Sequence, residues 1–402
     1  MTLRLQHSLS FALRLAVATA CCAGIWYSWA LARGDFLFRQ HTKASIRAAI
    51  SVVPDDWKYY MRLAQFSGED AQKLLTDALH LDRYNAEADI ELGLQYEAAG
   101  NYPAAEHSLL NAYSVDHTYL PRWTLANYYL RRGNWPAFWK WARSAADMPS
   151  GDIGSLFALC WRVNPNPDAI TAAIANNKPS FLRPYIGFLI SKQRYAAAAA
   201  MAERLLRYGN ANSDRPTLLA VINGLATAGD AGPAVSLWSR LIQQHWVVAD
   251  TTRPNNADFA RDPLPVVFDW RIPQYSGLYS LGGPTGLQIV FSGSEPGQCT
   301  LADQTVAVSP GHDTLQYTYQ TTGIPPGSGL RWQILLPGSN VVLAQSPSLS
   351  SDAPQQSSLP FSVPGSASLV ELRLVYQRAP GTSHISGTLN MQSTRIQAAA
   401  GS

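Results

Sequence analysis

The chain has 402 residues, of which 47% are hydrophobic and 15% are charged, and this length supports two hydrophobic cores. Its net charge is +3 and its basic residues form no tract, so the sequence lacks the electrostatic signature of a nucleic-acid-binding protein. Four cysteines are present, two inside an apolar run and two (Cys160 and Cys299) in different predicted domains, which argues against structural disulfides.

Residues 15–32 are an uncharged run of 18 residues, preceded by two arginines. Because about 20 apolar residues cross a bilayer, we predict a transmembrane anchor here, behind a cytoplasmic tail of residues 1–14. A cleaved signal peptide is the alternative, since residues 30–32 (Ala-Leu-Ala) fit a small-residue cleavage site. The length of the run favours the retained anchor, as do Trp26 and Trp29 at the position of an interfacial aromatic belt.

The membrane orientation has two signals that disagree. Four basic residues follow the span within 15 positions, and taken alone they would place the bulk of the chain in the cytoplasm. The C-terminal half, however, is poor in charge and has no lysine after Lys192, which is typical of a secreted module. We expect an inner-membrane protein whose bulk is periplasmic. The opposite orientation stays open as the alternative.

Two segments of the chain repeat each other at a spacing of 33 residues. A period of this length is typical of stacked helical hairpins, which are binding scaffolds, so it argues against catalysis. In each copy an amphipathic helix is followed by a glycine that ends it and an asparagine. The first copy has Leu92-Gly93, Tyr96, Gly100-Asn101-Tyr102 and Ala105, and the second has Leu125-Ala126, Tyr129, Gly133-Asn134-Trp135 and Phe138.

These residues resemble the tetratricopeptide repeat, over 86–118 and 119–147. Less regular copies are expected on both sides: Leu63-Ala64 is predicted to open a helix upstream, in a copy shortened around Ser67-Gly68-Glu69. Downstream, Tyr195 to Ala198 and Gly229 to Ala234 resemble the starts of second helices. Residues 148–180 contain Pro149, Pro165, Pro167 and Pro179 and are predicted to form an irregular helical pair. We therefore predict a helical repeat domain over residues 33–250.

The first helix of each hairpin lines the concave surface of such a repeat array. Trp and Arg are the residue types enriched in interface hot spots, so Trp123 and Arg131 are the expected anchors of a partner protein. The alternative is that this surface packs against another part of the same chain. The predicted partner-binding groove consists of Glu87, Ile90, Glu97, Trp123, Asn127 and Arg131.

Composition changes near residue 263, after which 140 positions contain five arginines and six acidic residues. Alternating runs separated by Pro-Gly and Ser-Gly turns predict an antiparallel β-sandwich of jelly-roll type over residues 266–398, behind a linker at 251–265. The runs are Leu287–Phe291, Gln304–Val308, Leu315–Thr321, Leu330–Leu336, Val341–Ala344, Leu369–Tyr376 and Ile385–Ile396. The whole chain is therefore predicted to be a multidomain α + β protein with a transmembrane helix, a helical solenoid and a sandwich.

Gln304 to Gly311, followed by Tyr317-Thr318-Tyr319, is similar to a strand pair of carbohydrate-binding-module jelly rolls, and Gly387 to Met391 looks like their last strand. This resemblance implies glycan binding. Phe268 to Arg271 resembles a segment of membrane-anchored repeat proteins of bacterial envelopes, which implies a link to exopolysaccharide or O-antigen assembly and export.

Alternation places Leu315, Tyr317, Tyr319, Trp332 and Ile334 in the core of the sandwich. Trp270, Tyr275 and Tyr279 fall instead in a Pro- and Gly-rich approach loop, so they, with Arg271, are the candidate glycan contacts. Packing of the approach loop onto the sandwich is the competing interpretation.

Catalytic motifs are missing from the sequence: the eight histidines have no metal-ligand spacing, and there is no nucleophile elbow, phosphate loop or dinucleotide fingerprint. Asp303 and Asp313 are expected in turns. We predict no catalytic residue, metal or cofactor, and a non-enzymatic envelope scaffold with a protein partner and a polysaccharide. The alternatives are a structural subunit of a secretion or pilus-type assembly, and a glycan hydrolase, which a facing pair of buried carboxylates would indicate.

Overall fold

The computed structural model describes residues 2–66, 70–148, 153–174, 178–250, 253–365 and 367–398. The chain divides into two compact units, which we call unit 1 (residues 1–176) and unit 2 (residues 177–402). Unit 1 is helical, whereas unit 2 combines helices with two antiparallel sheets, as the predicted fold class requires. The four helices within residues 179–243, which the sequence assigns to the repeat domain, belong to the same compact unit as the sandwich.

Unit 1 is a series of antiparallel helical hairpins, the first of which begins with one long N-terminal helix. Its helices are α1 (Thr2–Phe38), α2 (Lys43–Val52), α3 (Trp57–Ala64), α4 (Ala71–Leu81), α5 (Ala86–Ala98), α6 (Tyr102–Val115), α7 (Tyr119–Arg131), α8 (Trp135–Ala146), α9 (Ile153–Val163) and α10 (Pro167–Ile174).

The Gly-Asn pairs of the 33-residue repeat form the hairpin turns. Gly100 and Gly133 have φ of 79° and 67°, which a residue with a side chain rarely adopts, so they end α5 and α7. The next residue of each repeat caps the second helix: Asn101 Oδ1 accepts from Ala104 N (3.3 Å) and Asn134 Oδ1 from Ala137 N (3.2 Å). The predicted helix breaks are therefore confirmed.

In unit 1, close packing joins the two helices of a hairpin, and hydrogen bonds join adjacent hairpins. A Cβ on Gly93 would lie 2.8 Å from the Leu109 side chain, so only glycine allows α5 and α6 to approach this closely. Tyr128 donates its hydroxyl to Tyr102 O (3.0 Å), and Tyr129 donates to Glu106 Oε1 (2.6 Å). The repeat tyrosines thus connect one hairpin to the next.

The prediction that Leu63-Ala64 opens a helix is wrong, because α3 begins at Trp57 and ends at Ala64. The Asp56 side chain fixes this start by accepting from Lys58 N (3.0 Å). The shortened segment at 67–69 lies outside the described residues. The predicted irregular pair corresponds to α9 and α10, although residues 149–152 and 175–177 also lie outside the described residues.

Helix α1 is continuous from the apolar run to its packing against α2, and we call α1 with α2 the first hairpin. Its part Arg14–Phe38 is long and apolar enough to cross a membrane, judged by length and composition. Within this part, Ala30 and Gly34 are buried in a small core with Ile46 and Ala49. A Cβ on Gly34 would lie 2.9 Å from the Tyr59 hydroxyl oxygen, so α1 crosses α3 at this glycine.

Unit 2 begins with two helical hairpins. These are α11 (Pro179–Ser191) with α12 (Tyr195–Tyr208), and α13 (Ala211–Thr227) with α14 (Ala231–Gln243). The predicted second helices are confirmed, since α12 begins at Tyr195 and α14 begins two residues after Gly229.

The sandwich of unit 2 consists of a five-stranded sheet in the order β1-β2-β9-β4-β7 and a four-stranded sheet in the order β3-β8-β5-β6. Every strand pair is antiparallel, which confirms the predicted sandwich. Seven strands overlap the predicted runs, and two others, β1 and β7, were missed. The strands are β1 (Leu278–Gly283), β2 (Gly286–Ser292), β3 (Gln298–Ala307), β4 (Gly311–Thr322), β5 (Leu330–Leu335), β6 (Val342–Gln345), β7 (Gln355–Val363), β8 (Leu369–Gln377) and β9 (Ser386–Ala398).

The two sheets enclose one hydrophobic core. Alternate residues of each strand enter it, and the five predicted core residues of β4 and β5 are all buried there. Asp303 and Asp313 lie in β3 and β4, so their predicted turn positions are wrong. Each aspartate is paired with a residue of a neighbouring strand, Asp303 with Arg373 of β8 and Asp313 with Phe361 of β7.

The chain between α14 and β1 contains an ordered stretch, which we call the connecting segment (residues 253–271). The Asn223 side chain of α13 holds it by donating to Pro265 O (3.0 Å) and accepting from Val267 N (2.9 Å). On the other side, Thr305 N of β3 donates to Val267 O (2.8 Å). The connecting segment is thereby bonded to both the helices and the four-stranded sheet of unit 2.

Candidate functional site

The predicted partner-binding groove lies on the first helices of two successive hairpins, α5 and α7. Glu97 of α5 and Arg131 of α7 form a two-point ion pair, with Nε to Oε1 at 2.8 Å and Nη2 to Oε2 at 2.6 Å. Glu87 is exposed, whereas Trp123 and Asn127 are half-buried. Ile90 is buried, so its side chain belongs to the helix packing and offers no surface to a partner.

Unit 2 contains a cleft of about 830 Å³ between α13, the connecting segment and the outer surface of the four-stranded sheet. One wall is aliphatic and comes from the connecting segment, and another comes from residues 226–229 at and just beyond the end of α13. Its polar floor comes from Arg271, Asp303 and Glu371. A smaller depression of about 380 Å³ adjoins it, because Arg271 and Glu371 line both, and adds Arg373 to the floor.

We call Arg271, Asp303, Glu371 and Arg373 the charged floor of the cleft. Arg271 Nε donates to Asp303 Oδ1 (2.9 Å), and Arg373 donates to Glu371 Oε1 from Nε (2.9 Å) and Nη2 (2.7 Å). The register of β3 and β8 brings the Arg271–Asp303 and Arg373–Glu371 ion pairs next to each other, since Asp303 is opposite Arg373 and Thr305 is opposite Glu371. Each carboxylate is therefore compensated by one guanidinium.

Burial determines the electrostatics of the floor. Asp303 and Glu371 are 8% and 9% exposed, and burial raises the pKa of Asp303 while the Arg271 guanidinium offsets part of that rise. The hydrogen bond with Asp303 raises the pKa of Arg271, which keeps the guanidinium charged. The Arg271 side chain is 71% exposed, so it reaches from this pair toward solvent.

The four predicted glycan contacts lie in four different environments. Arg271 lines the cleft, and half-buried Tyr275 lines a second depression of about 380 Å³ together with Arg373. Tyr279 lies in β1, not in a loop, and is 60% exposed on the outer surface of the five-stranded sheet. Trp270 is 2% exposed in the core.

The burial of Trp270 removes it from the predicted glycan-contact set. Its ring stacks on Phe259 with centroids 4.7 Å apart, and it packs near Trp332. Its indole N–H donates to Asn256 O (2.9 Å). Both the ring surface and the polar atom are occupied, so Trp270 has no surface left for a sugar.

The outer surface of the five-stranded sheet is a second polar surface. Gln288, Asn390 and Gln320 are register neighbours across β2, β9 and β4. Tyr279 and Val290 form the adjacent exposed pair at the β1 edge. Amides with a neighbouring aromatic ring can bind the hydroxyls and apolar surface of a sugar.

Sequence reasoning missed Asp303, Glu371 and Arg373 as site residues. One signal was present in β8, where Glu371 and Arg373 alternate with leucines in a half of the chain that is poor in charge. Among the described residues, no group of His, Cys, Asp and Glu is arranged to hold a metal ion.

These features define a protein of stacked helical hairpins combined with an antiparallel β-sandwich. No family model and no curated protein matches the chain. A solved structure described as "CBM4 structure and function" is 15% identical with a TM-score of 0.29, over 36% of this chain and 99% of that one.

Two helical structures are similar to about half of the chain. One, described as "Functional Characterization of Pseudomonas Aeruginosa pilF", is 16% identical with a TM-score of 0.26, over 48% of this chain and 93% of that one. The other, YrrB, "a TPR protein with an unusual peptide-binding site", is 13% identical with a TM-score of 0.25, over 50% and 93%. Similarities this distant assign no function to the chain.

Proposed function

We propose that this protein is a non-enzymatic scaffold of the bacterial envelope, held in the inner membrane by α1 with its bulk in the periplasm. In this proposal the first-helix surface of unit 1 binds a protein partner, and unit 2 binds a glycan, in exopolysaccharide or O-antigen assembly or export.

The observation that carries the proposal is the double role of α1. One stretch of this helix exposes large apolar side chains, including Ile25, Trp26 and Trp29, which water solvates poorly and a bilayer would cover. The following stretch is part of the core of the first hairpin, through Ala30 and Gly34. A repeat array built onto its own anchor is suited to holding a partner at a membrane.

The partner surface is supported by the geometry of α5 and α7. The Glu97–Arg131 pair joins the two first helices, so their exposed residues form one surface with a fixed spacing. A surface fixed before binding lowers the ordering cost that a partner must overcome.

Membrane attachment and orientation are tested on intact cells. We expect the full chain to stay in the membrane fraction after carbonate washing, and external protease to degrade it in spheroplasts. Release by carbonate would contradict the anchor, and full protection from protease would contradict the periplasmic orientation.

Partner binding is tested with a photo-crosslinking residue at Glu87 or Asn127, on the first-helix surface. Leu110, an exposed residue of the second helix α6, is the matched control position. We expect one specific crosslinked protein from the two first-helix positions and none from the control. Equal crosslinking at all three positions would contradict the assigned surface.

A structural subunit of a secretion or pilus-type assembly is the second candidate, and the β1 edge favours it. Tyr279, Leu281 and Val290 expose an apolar surface beside an edge strand, which is a common site of protein contact. Crosslinking yields that are equal with and without polysaccharide synthesis would favour this candidate.

The charged floor bears on the enzymatic alternative, because two buried carboxylates line one cleft. A glycan hydrolase requires one carboxyl group that donates a proton and another that acts as base or nucleophile. Here Asp303 and Glu371 are each hydrogen-bonded to an arginine, so one oxygen of each carboxylate is already occupied by a positively charged donor. This pairing supports binding over hydrolysis, and an oligosaccharide incubated with the protein is expected to stay intact.

A further inference from the structure

The cleft beside α13 offers hydrogen-bonding groups that the protein itself does not use. Within the described part of the chain, Asp303 Oδ2, Glu371 Oε2 and the two terminal nitrogens of Arg271 have no hydrogen bond to another residue. Both donors and acceptors therefore face a cavity of about 830 Å³, a volume typical of small-ligand sites.

The charges of the floor determine whether an anionic, a cationic or a neutral ligand fits the cleft. Two guanidinium groups and two carboxylates of the charged floor sum to zero, so neither an anion nor a cation gains net attraction from the floor. A third carboxylate of the cleft lining, Asp269, is buried and already accepts hydrogen bonds from Leu264 N and Trp270 N. An anionic ligand would be repelled by Asp303 and Glu371, and a cationic ligand by the arginines. A neutral ligand whose groups both donate and accept hydrogen bonds fits this floor, and hydroxyl groups have that property.

Main-chain recognition of a peptide is disfavoured in the cleft because the β3 edge is already paired. Arg271 N donates to Asp303 O (2.8 Å), Asp303 N donates to Arg271 O (2.9 Å), and Thr305 N donates to Val267 O. An added strand would have to displace the connecting segment. The aliphatic wall at Pro263, Leu264 and Val266 instead suits the C–H surface of a sugar ring.

We infer that this cleft is a binding site for a neutral oligosaccharide, with the charged floor bonding its hydroxyls and the connecting segment packing against its rings. The inference rests on the proposed glycan function and assigns it to the cleft rather than to the outer surface of the five-stranded sheet.

The test uses the full chain in a detergent without a sugar head group. Calorimetric titration with cellotriose, maltotriose and laminaritriose is compared with titration by anionic trigalacturonate. Arg271→Ala removes exposed donors, and Ala228→Trp fills the cleft from an exposed position at the end of α13. Arg395→Ala and Ala220→Trp are the matched controls, since both residues are exposed and neither lines the cleft.

We expect at least one neutral trisaccharide to bind, and both cleft variants to weaken it about tenfold or more while the controls do not. Binding that survives both cleft variants but is lost in Tyr279→Ala would overturn the assignment to the cleft and leave the glycan function standing. No binding by any neutral trisaccharide would overturn both. Preference for trigalacturonate would overturn the charge argument.

Discussion

Asp89→Asn is expected to stabilise unit 1 at neutral pH and to remove part of its pH dependence. Asp89 is buried on α5, and burial raises its pKa from 3.8 to about 6, although the hydrogen bond with Asn111 and the nearby charge of His107 act in the opposite direction. The folded state therefore binds this proton more tightly than the unfolded state does.

The sign of the effect follows from proton linkage. The stabilisation from protonated Asp89 is complete below pH 3.8 and is lost as the pH rises through about 6. A pKa difference of about two units between the folded and unfolded states lowers the free energy of unfolding, relative to fully protonated Asp89, by about 3 kcal/mol at pH 8 and by about 1 kcal/mol at pH 4.5. Asn keeps a hydrogen-bonding group at this position without a charge to bury. The stability of the variant relative to the wild-type protein should therefore increase by about 2 kcal/mol between pH 4.5 and pH 8.

Urea-induced unfolding at pH 4.5 and pH 8 measures this difference, with pulse-labelled hydrogen exchange of α5 and α6 peptides to assign the transition to unit 1. Glu87→Gln is the matched control, because Glu87 is exposed on the same helix and its charge is not buried. An Asp89→Asn advantage that is equal at the two pH values, or absent at pH 8, would refute the reasoning.

Three further predictions concern packing, thiols and the connecting segment. Gly34→Ala should destabilise the first hairpin by about 1–3 kcal/mol, because its Cβ would meet Tyr59, as urea unfolding would measure. Cys160 and Cys299 should react with maleimide only after denaturation, since burial raises their pKa values to about 12 and about 11, as mass spectrometry would measure. Asn223→Ala should speed hydrogen exchange of residues 263–271 about tenfold or more, because two hydrogen bonds are lost.

The first of these predictions has a matched control variant, and each of the three has an outcome that would contradict it. Gly232→Ala replaces a helical glycine with open space around it, and an equal loss there would contradict the packing argument for Gly34. Maleimide labelling of the two buried cysteines at the rate of a free thiol in native protein would contradict their burial. Unchanged exchange in Asn223→Ala would show that other contacts hold the connecting segment.

Local patterns in the sequence determined the helical part well. Gly100-Asn101 and Gly133-Asn134 each combine a helix-ending residue with a capping residue, so a four-residue window is enough to place the turn. The alternation of apolar and polar residues likewise located β4 and β5. The missed strands show this pattern only in part: the first half of β7 consists of Gln and Ser and its second half contains Pro360, and β1 ends in two glycines. Both are edge strands, where one unpaired side tolerates these residues.

The cleft could not be predicted locally because its parts are distant in sequence. Asn223, Arg271, Asp303 and Glu371 come from a helix, a connecting segment and two strands. Only the strand register brings Asp303 and Glu371 to neighbouring positions. Trp270 was misplaced for a similar reason, since its ring is covered by Phe259, eleven positions earlier in an irregular stretch where no periodicity indicates which residues are buried.

The packing of α1 also bears on the choice between a retained anchor and a cleaved signal peptide. Cleavage after Ala32 would remove Ala30, which lies in the core that Ile46 and Ala49 form. It would also detach Gly34 from the helix that positions it against Tyr59. The first hairpin would then expose part of its apolar core, at a cost that the retained helix avoids. The same residues that complete the fold of unit 1 therefore favour retention of the span, and they hold the first hairpin directly beside the membrane in the proposed scaffold.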